Sequence, residues 1–141
     1  MRFYFAYGSN MWDEQMKKRC PQHRKVGHAV LPGYRWIITT RGYASVFPSP
    51  GDEVEGVLFE VSPTDEDALD GFEGVSSGSY LKVEMTVRCE NQDKTALVYV
   101  DPITKEGTPK QEYIMRINAG LKDARLSDAY VRRQVRKFVP A

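Results

Sequence analysis

The stretch FYFAYGSNM, Phe3 to Met11, constrains this chain more than any other. A hydrophobic, aromatic strand ends in one glycine and two small polar residues, then runs at once into the helical pattern WDEQMKKRC. Such a strand-to-helix turn leaves backbone N–H groups without partners, pointing at whatever sits above it, and so offers a place to hold an anion. Gly8 allows a tight bend and close approach of a ligand, and Asn10 is placed to cap the helix with its side-chain oxygen. Ser9 is then left with a free hydroxyl. The same residues equally describe a plain capped helix with no ligand, and the turn alone does not separate the two readings.

What else the chain can be is bounded by its size and charge. With 141 residues, 41% hydrophobic and 28% charged, one sizeable core is expected and two typical domains are not, so residues 1–141 are read as a single domain. Twenty basic residues against nineteen acidic ones give a net charge of +1. No global field favours nucleic acid or an anionic membrane, and the expected partner is a small molecule. The amino terminus has neither the long apolar region nor the cleavage site of a signal peptide, and no apolar run is of bilayer length, so a cytoplasmic location is expected. Cys20 and Cys89 lack C-x-x-C spacing and fit reduced thiols. With only two histidines, a zinc centre is not expected.

Along the chain, β segments dominate the first two thirds. VGHAVL, YRWIITT and ASVF read as three short strands, broken at Pro32-Gly33 and around Arg41-Gly42; SPGDE reads as a turn and VEGVLFEV as a further strand. A helix is predicted to start with Ser62 as N-cap and Pro63 at the first position, with Gly71 weakening or ending it. YLKVEMTVR and TALVYV pair across a turn near ENQDK. The last third is helical: TPKQEYIMRINAG, then SDAYVRRQVRKF, capped by Ser127 and ended by Pro140.

No G-x-S-x-G elbow, Walker loop or G-x-G-x-x-G is present, which removes the local signatures of serine hydrolases, P-loop NTPases and dinucleotide enzymes. The remaining unusual segment is DGFEGVSSGSY, where Glu73 follows a helix and is flanked by Phe72 and Gly74. Burial there would raise its pKa towards the range useful for proton transfer; on an exposed helix end it would be an ordinary surface carboxylate. Ser76 and Ser77 read as loop residues, because neither His23 nor His28 lies in a triad-like setting.

YGSNM, FPSPGDEVEGVLFEV, LDGFEGVSSGSYLKVEM and QEYIMRINAG, in that order, resemble the γ-glutamylcyclotransferase-like family over nearly the full length. The resemblance implies an α+β fold, a small mixed β-barrel with peripheral short helices. It also implies release of 5-oxoproline from a γ-glutamyl amine or dipeptide, with Glu73 as general acid/base. Tyr7, Gly8, Ser9, Asn10, Tyr80 and Tyr113 map onto the substrate site. Asn rather than Leu after YGS separates the chain from the glutathione-specific cyclotransferases. In such a reaction the substrate's own α-amine is the nucleophile, so no Ser or Cys nucleophile, metal or other cofactor is needed. Core packing alone would account for Tyr7, Tyr80 and Tyr113. The alternative of another class is a non-catalytic binding module that kept the anion-holding turn; a negative Glu73 beside a carboxylate ligand speaks against it.

Overall fold

Two long strands make up most of the sheet in the computed structural model, which describes residues 1–141. They are β2 (Arg24–Ile38) and β3 (Ala44–Val61). Their length corrects the expectation of four short strands between residues 26 and 61. Register passes from Pro32 opposite Glu53 to Tyr34 opposite Pro48, so residues 49–52 loop out opposite Gly33 while both flanks stay on the same neighbour. Gly33 and Gly51 absorb the distortion with φ of 82° and 88°, and the Ser49 hydroxyl donates to Asp52 Oδ2 at 2.5 Å. SPGDE is therefore a wide bulge inside one strand. Bulges of this kind increase local twist and let a long strand bend around a barrel.

Strand β1 (Arg2–Ala6) pairs antiparallel with β3 and parallel with β5 (Gln92–Val100). Strand β4 (Leu81–Cys89) lies between β2 and β5, and the order β1-β3-β2-β4-β5 closes into a mixed barrel, the architecture expected from the sequence. The β4–β5 connection is a two-residue turn at Glu90 and Asn91, both with positive φ, the geometry that matches the twist of a hairpin. Phe5, Phe59, Leu58, Leu97 and Trp36 are fully buried in the core. At Gly56 a Cβ would lie 2.3 Å from the Ala6 carbonyl oxygen, so only glycine admits the end of β1 at this place.

Four helices flank the barrel. They are α1 (Asp13–Arg19), α2 (Pro63–Phe72), α3 (Gln111–Ala124) and α4 (Asp128–Tyr130), the last continuing as a π-helical turn through Val135. α2 begins with the expected Ser62 cap, and Asp65 completes a capping box. The helix ends one residue past Gly71, at Phe72. Ser127 caps α4 as expected, its hydroxyl accepting from the Tyr130 N–H at 3.3 Å. Gly120 lets α3 press on the segment after β1, because a Cβ there would meet Met11 Cβ and Trp12 N at 3.1 Å. Cys20 and Cys89 are buried and unpaired. No helix is long and apolar enough to cross a membrane.

Candidate active site

Beyond β1 the chain makes a single 3₁₀ turn, Ser9–Met11, and α1 starts only at Asp13. That offset moves the helix start past the reach of Asn10, which is not the helix cap the sequence suggested. Its Nδ2 instead donates to the Tyr4 hydroxyl at 2.9 Å, and its Oδ1 accepts from Gln15 Nε2 at 2.8 Å and Arg19 Nη1 at 3.2 Å. Nor is the Ser9 hydroxyl free: it accepts from Gln15 Nε2 at 2.7 Å. Both residues are buried, so these bonds fix the turn rather than decorate a surface. Gly8 has φ −121°, outside the left-handed region. Its constraint is close approach, since a Cβ would stand 3.0 Å from the Tyr113 hydroxyl.

Three tyrosines close over this turn from separate elements. Tyr7 donates to the Tyr99 carbonyl at 2.5 Å, and Tyr80, just ahead of β4, donates to the Ala44 carbonyl at 2.7 Å. From α3, the Tyr113 hydroxyl accepts from the Ala44 N–H at 3.4 Å, so two phenols bracket the peptide at the start of β3. Burial raises the pKa of each. Tyr113 is pushed up to about 12, and Tyr7 and Tyr80 are also raised, burial being the first cause. All three stay protonated at neutral pH; Tyr7 and Tyr80 spend their single O–H on a backbone carbonyl, which leaves Tyr113 as the donor.

Glu73 is the C-cap of α2. Its N–H donates to the Leu69 carbonyl at 2.8 Å, and Gly74 then turns the chain away with φ 64°. The carboxyl stands in the wall shared by two adjoining cavities of about 240 and 40 Å³, a wall that also holds Ser9, Tyr80 and Tyr113. The smaller, inner chamber is walled by tyrosines and by Gly8, Ser9 and Asn10; the larger, outer one carries Arg19, Arg41 and Arg116. The Glu73 residue keeps intermediate exposure to the open chamber, yet the protein crowding its carboxyl desolvates it. That burial pushes its pKa up to about 7, against the pull of Arg19, Arg41 and Arg116. No hydrogen bond holds the carboxylate. The result is an unengaged acid poised near neutrality beside a buried turn and protonated phenols.

The structure thus brings Tyr7, Gly8, Ser9, Asn10, Glu73, Tyr80 and Tyr113 to one place, although they come from the ends of β1 and α2, the approach to β4, and α3. Sequence reasoning missed the three arginines. Arg41 sits in the β2–β3 hairpin, its Nε on Asp101 Oδ2 at 3.0 Å and its guanidinium 5.2 Å from the Tyr80 ring. Arg116 grips Glu112 through Nε at 3.1 Å and Nη2 at 2.8 Å. Its position three residues after Tyr113, on the same helix face, was a usable signal. Arg19 is the last residue of α1, next to Lys17 and Lys18, and nothing in that run sets it apart. Tyr4 and Tyr99 also line the inner chamber and read in the sequence only as strand residues.

The profile of the family described as "Gamma-glutamyl cyclotransferase, AIG2-like" matches residues 4–116. The chain is similar to the gamma-glutamylcyclotransferase of Mus musculus, 33% identical over 90% of this chain and 73% of that protein. It is 32% identical to the Homo sapiens gamma-glutamylcyclotransferase over 85% of this chain and 70% of that one. A solved structure titled "Gamma-glutamyl cyclotransferase" superposes with a TM-score of 0.85 at 29% identity, covering 94% of this chain and 85% of that one.

Proposed function

This chain belongs to the gamma-glutamyl cyclotransferase, AIG2-like family and is an enzyme of the cyclotransferase type, and on that premise we propose that it releases 5-oxoproline and a free amine from a γ-glutamyl amine or dipeptide. The observation that carries this reading is the Glu73 carboxyl, unengaged and raised to about 7, in the wall between the two chambers. Near pH 7 it is present in both protonation states, which suits one group to take a proton and return it. Glu73 takes a proton from the substrate's α-ammonium. The freed amine attacks the γ-carbonyl carbon and a new C–N bond closes the five-membered ring. Glu73 gives its proton to the departing nitrogen as the old C–N bond breaks. It then takes the second proton from the ring nitrogen, which leaves the neutral lactam, and passes it to the released amine, which departs as an ammonium. Such proton transfer contributes roughly 10²- to 10⁴-fold.

Ring closure requires the glutamyl moiety to be held bent, where an intramolecular attack gains most from orientation. In our reading the turn Gly8-Ser9-Asn10 and the free O–H of Tyr113 hold it, while Tyr7 and Tyr80, whose O–H groups are spent on the Tyr99 and Ala44 carbonyls, narrow the chamber and offer only acceptor lone pairs. Backbone N–H groups of the turn meet the α-carboxylate or the carbonyl oxygen on which charge develops. Because α1 begins beyond the turn, local N–H groups rather than a long helix dipole supply this attraction. The reading is tested by incubating the protein with a panel of γ-glutamyl compounds and measuring 5-oxoproline. Release that disappears in Glu73→Gln supports it, and absence of release from every member refutes it.

A further inference from the structure

The three arginines of the outer chamber are not equivalent. Arg41 is paired with Asp101, whose side chain is wholly buried, and Arg116 is held by Glu112 through two nitrogens. Arg19 has no carboxylate within ion-pair distance. Its one polar contact is the neutral Asn10 Oδ1, at 3.2 Å. Of a guanidinium's five N–H donors, most are therefore unused in a partly enclosed position, an arrangement that an anion would stabilise.

Arg19 is also fixed in place. Its guanidinium lies 4.4 Å from the centre of the Phe72 ring, which is 58% exposed at the rim, and the bond to Asn10 ties it to the turn. It borders the outer chamber and not the inner one. The glutamyl end, in the cyclotransferase reading on which this inference rests, faces the inner turn and its tyrosines. What lies across Glu73 from that turn, beside Arg19, is the half that departs.

We propose that Arg19 is a specificity-determining residue that receives a carboxylate carried by the amine half of the substrate, with Phe72 forming an apolar floor beneath that half. A planar guanidinium can meet a carboxylate through two parallel N–H donors, so the contact selects geometry as well as charge. A departing amine that carries a carboxylate is thereby favoured over one whose carboxylate is masked or missing.

The test compares γ-glutamyl-alanine with γ-glutamyl-alanine amide, which differ only in the terminal charge, by 5-oxoproline release from wild type, Arg19→Gln and Arg19→Lys. Wild type is expected to prefer the acid by roughly 10- to 100-fold in kcat/KM, chiefly through KM, the scale of a charged hydrogen bond. In Arg19→Gln that ratio should fall to about one, while Arg19→Lys, which keeps the charge without the fork, should retain part of it. Equal use of the two compounds by wild type overturns the proposal and leaves the cyclotransferase reading standing. An equal loss for both compounds in Arg19→Gln also overturns it, because the arginine would then serve the turn or the glutamyl end. If Arg19→Gln does not fold, the wild-type and Arg19→Lys ratios decide. Release from neither compound by wild type, with no release from the wider panel, removes the cyclotransferase reading and this inference together.

Discussion

Two glutamates, Glu55 in the barrel wall and Glu73 at the border of two chambers, have pKa values that move in opposite directions. Glu55, on β3, is buried and fully engaged: it accepts from the Ser127 N–H at 2.9 Å, from the Ser127 hydroxyl at 2.5 Å and from His28 Nε2 at 3.1 Å. Burial alone would raise its pKa, but those bonds outweigh burial and hold it below the usual value. The protein crowds the Glu73 carboxyl more heavily and supplies no such bonds, so desolvation prevails and its pKa rises to about 7. Heavier desolvation and missing bonds act together at Glu73, and lighter desolvation and three bonds act together at Glu55. A charged carboxylate met by donors stays ionised to lower pH, and one left without them in a crowded place does not.

The sharpest way to break this comparison is to remove both acids one at a time. Glu73→Gln keeps shape and removes proton transfer, and should lower turnover by at least ~10²-fold with the fold intact. Steady-state release of 5-oxoproline beside a circular dichroism spectrum checks it, and near-native turnover in the folded variant would exclude Glu73 as the acid/base. Glu55→Gln should do the reverse. Losing a buried, multiply bonded carboxylate is expected to cost about 1–3 kcal/mol in denaturant unfolding, with turnover per folded molecule close to wild type. A large turnover defect in stable Glu55→Gln would erase the distinction.

The pH dependence of stability sharpens it further. Glu73 has a folded pKa above its unfolded one, so its contribution is fully present below about 4.5 and is lost as pH rises through about 7. Glu55 has a lowered folded pKa, so its contribution is present above the ordinary Glu range and is lost as pH falls through the folded value. Relative to wild type, Glu73→Gln should gain stability between pH 4.5 and 8, whereas the deficit of Glu55→Gln should shrink below pH 4.5. Urea midpoints across that range check both slopes. The smallest effect belongs to the turn. 5-Oxoproline should bind more tightly than its carboxamide by about 2- to 10-fold at low salt, the scale of one hydrogen bond from a local backbone N–H. Equal, measurable affinities by calorimetry would mean that the turn does not read the carboxylate.

Much of the molecule was legible because the signals were local. Ser62-Pro63 and Asp65 announce α2, and the alternation in YLKVEMTVR announces β4. The ordered motifs pointed to the barrel as well as to Glu73, Tyr80 and Tyr113. The failures depended on which of several available partners a residue takes, some of them distant in sequence. SPGDE has every turn signal, yet β2 pairs on both sides of it, and pairing overrode the local preference. Asn10 resembled a cap until the extra 3₁₀ turn moved α1 away and Tyr4, Gln15 and Arg19 claimed its side chain. Arg41 reaches the site through Asp101, sixty positions later, and no window of sequence contains both.

Glu73 is poised near neutrality because the protein crowds its carboxyl and gives it no hydrogen-bond donor. Carbon-detected NMR of the side-chain carboxyls in the free protein, with Glu73→Gln and Glu55→Gln as assignment controls, measures this without any substrate. The account predicts a Glu73 midpoint near 7 in the same titration in which Glu55 stays below 4.5. A Glu73 midpoint at the ordinary value of about 4.3 would contradict it.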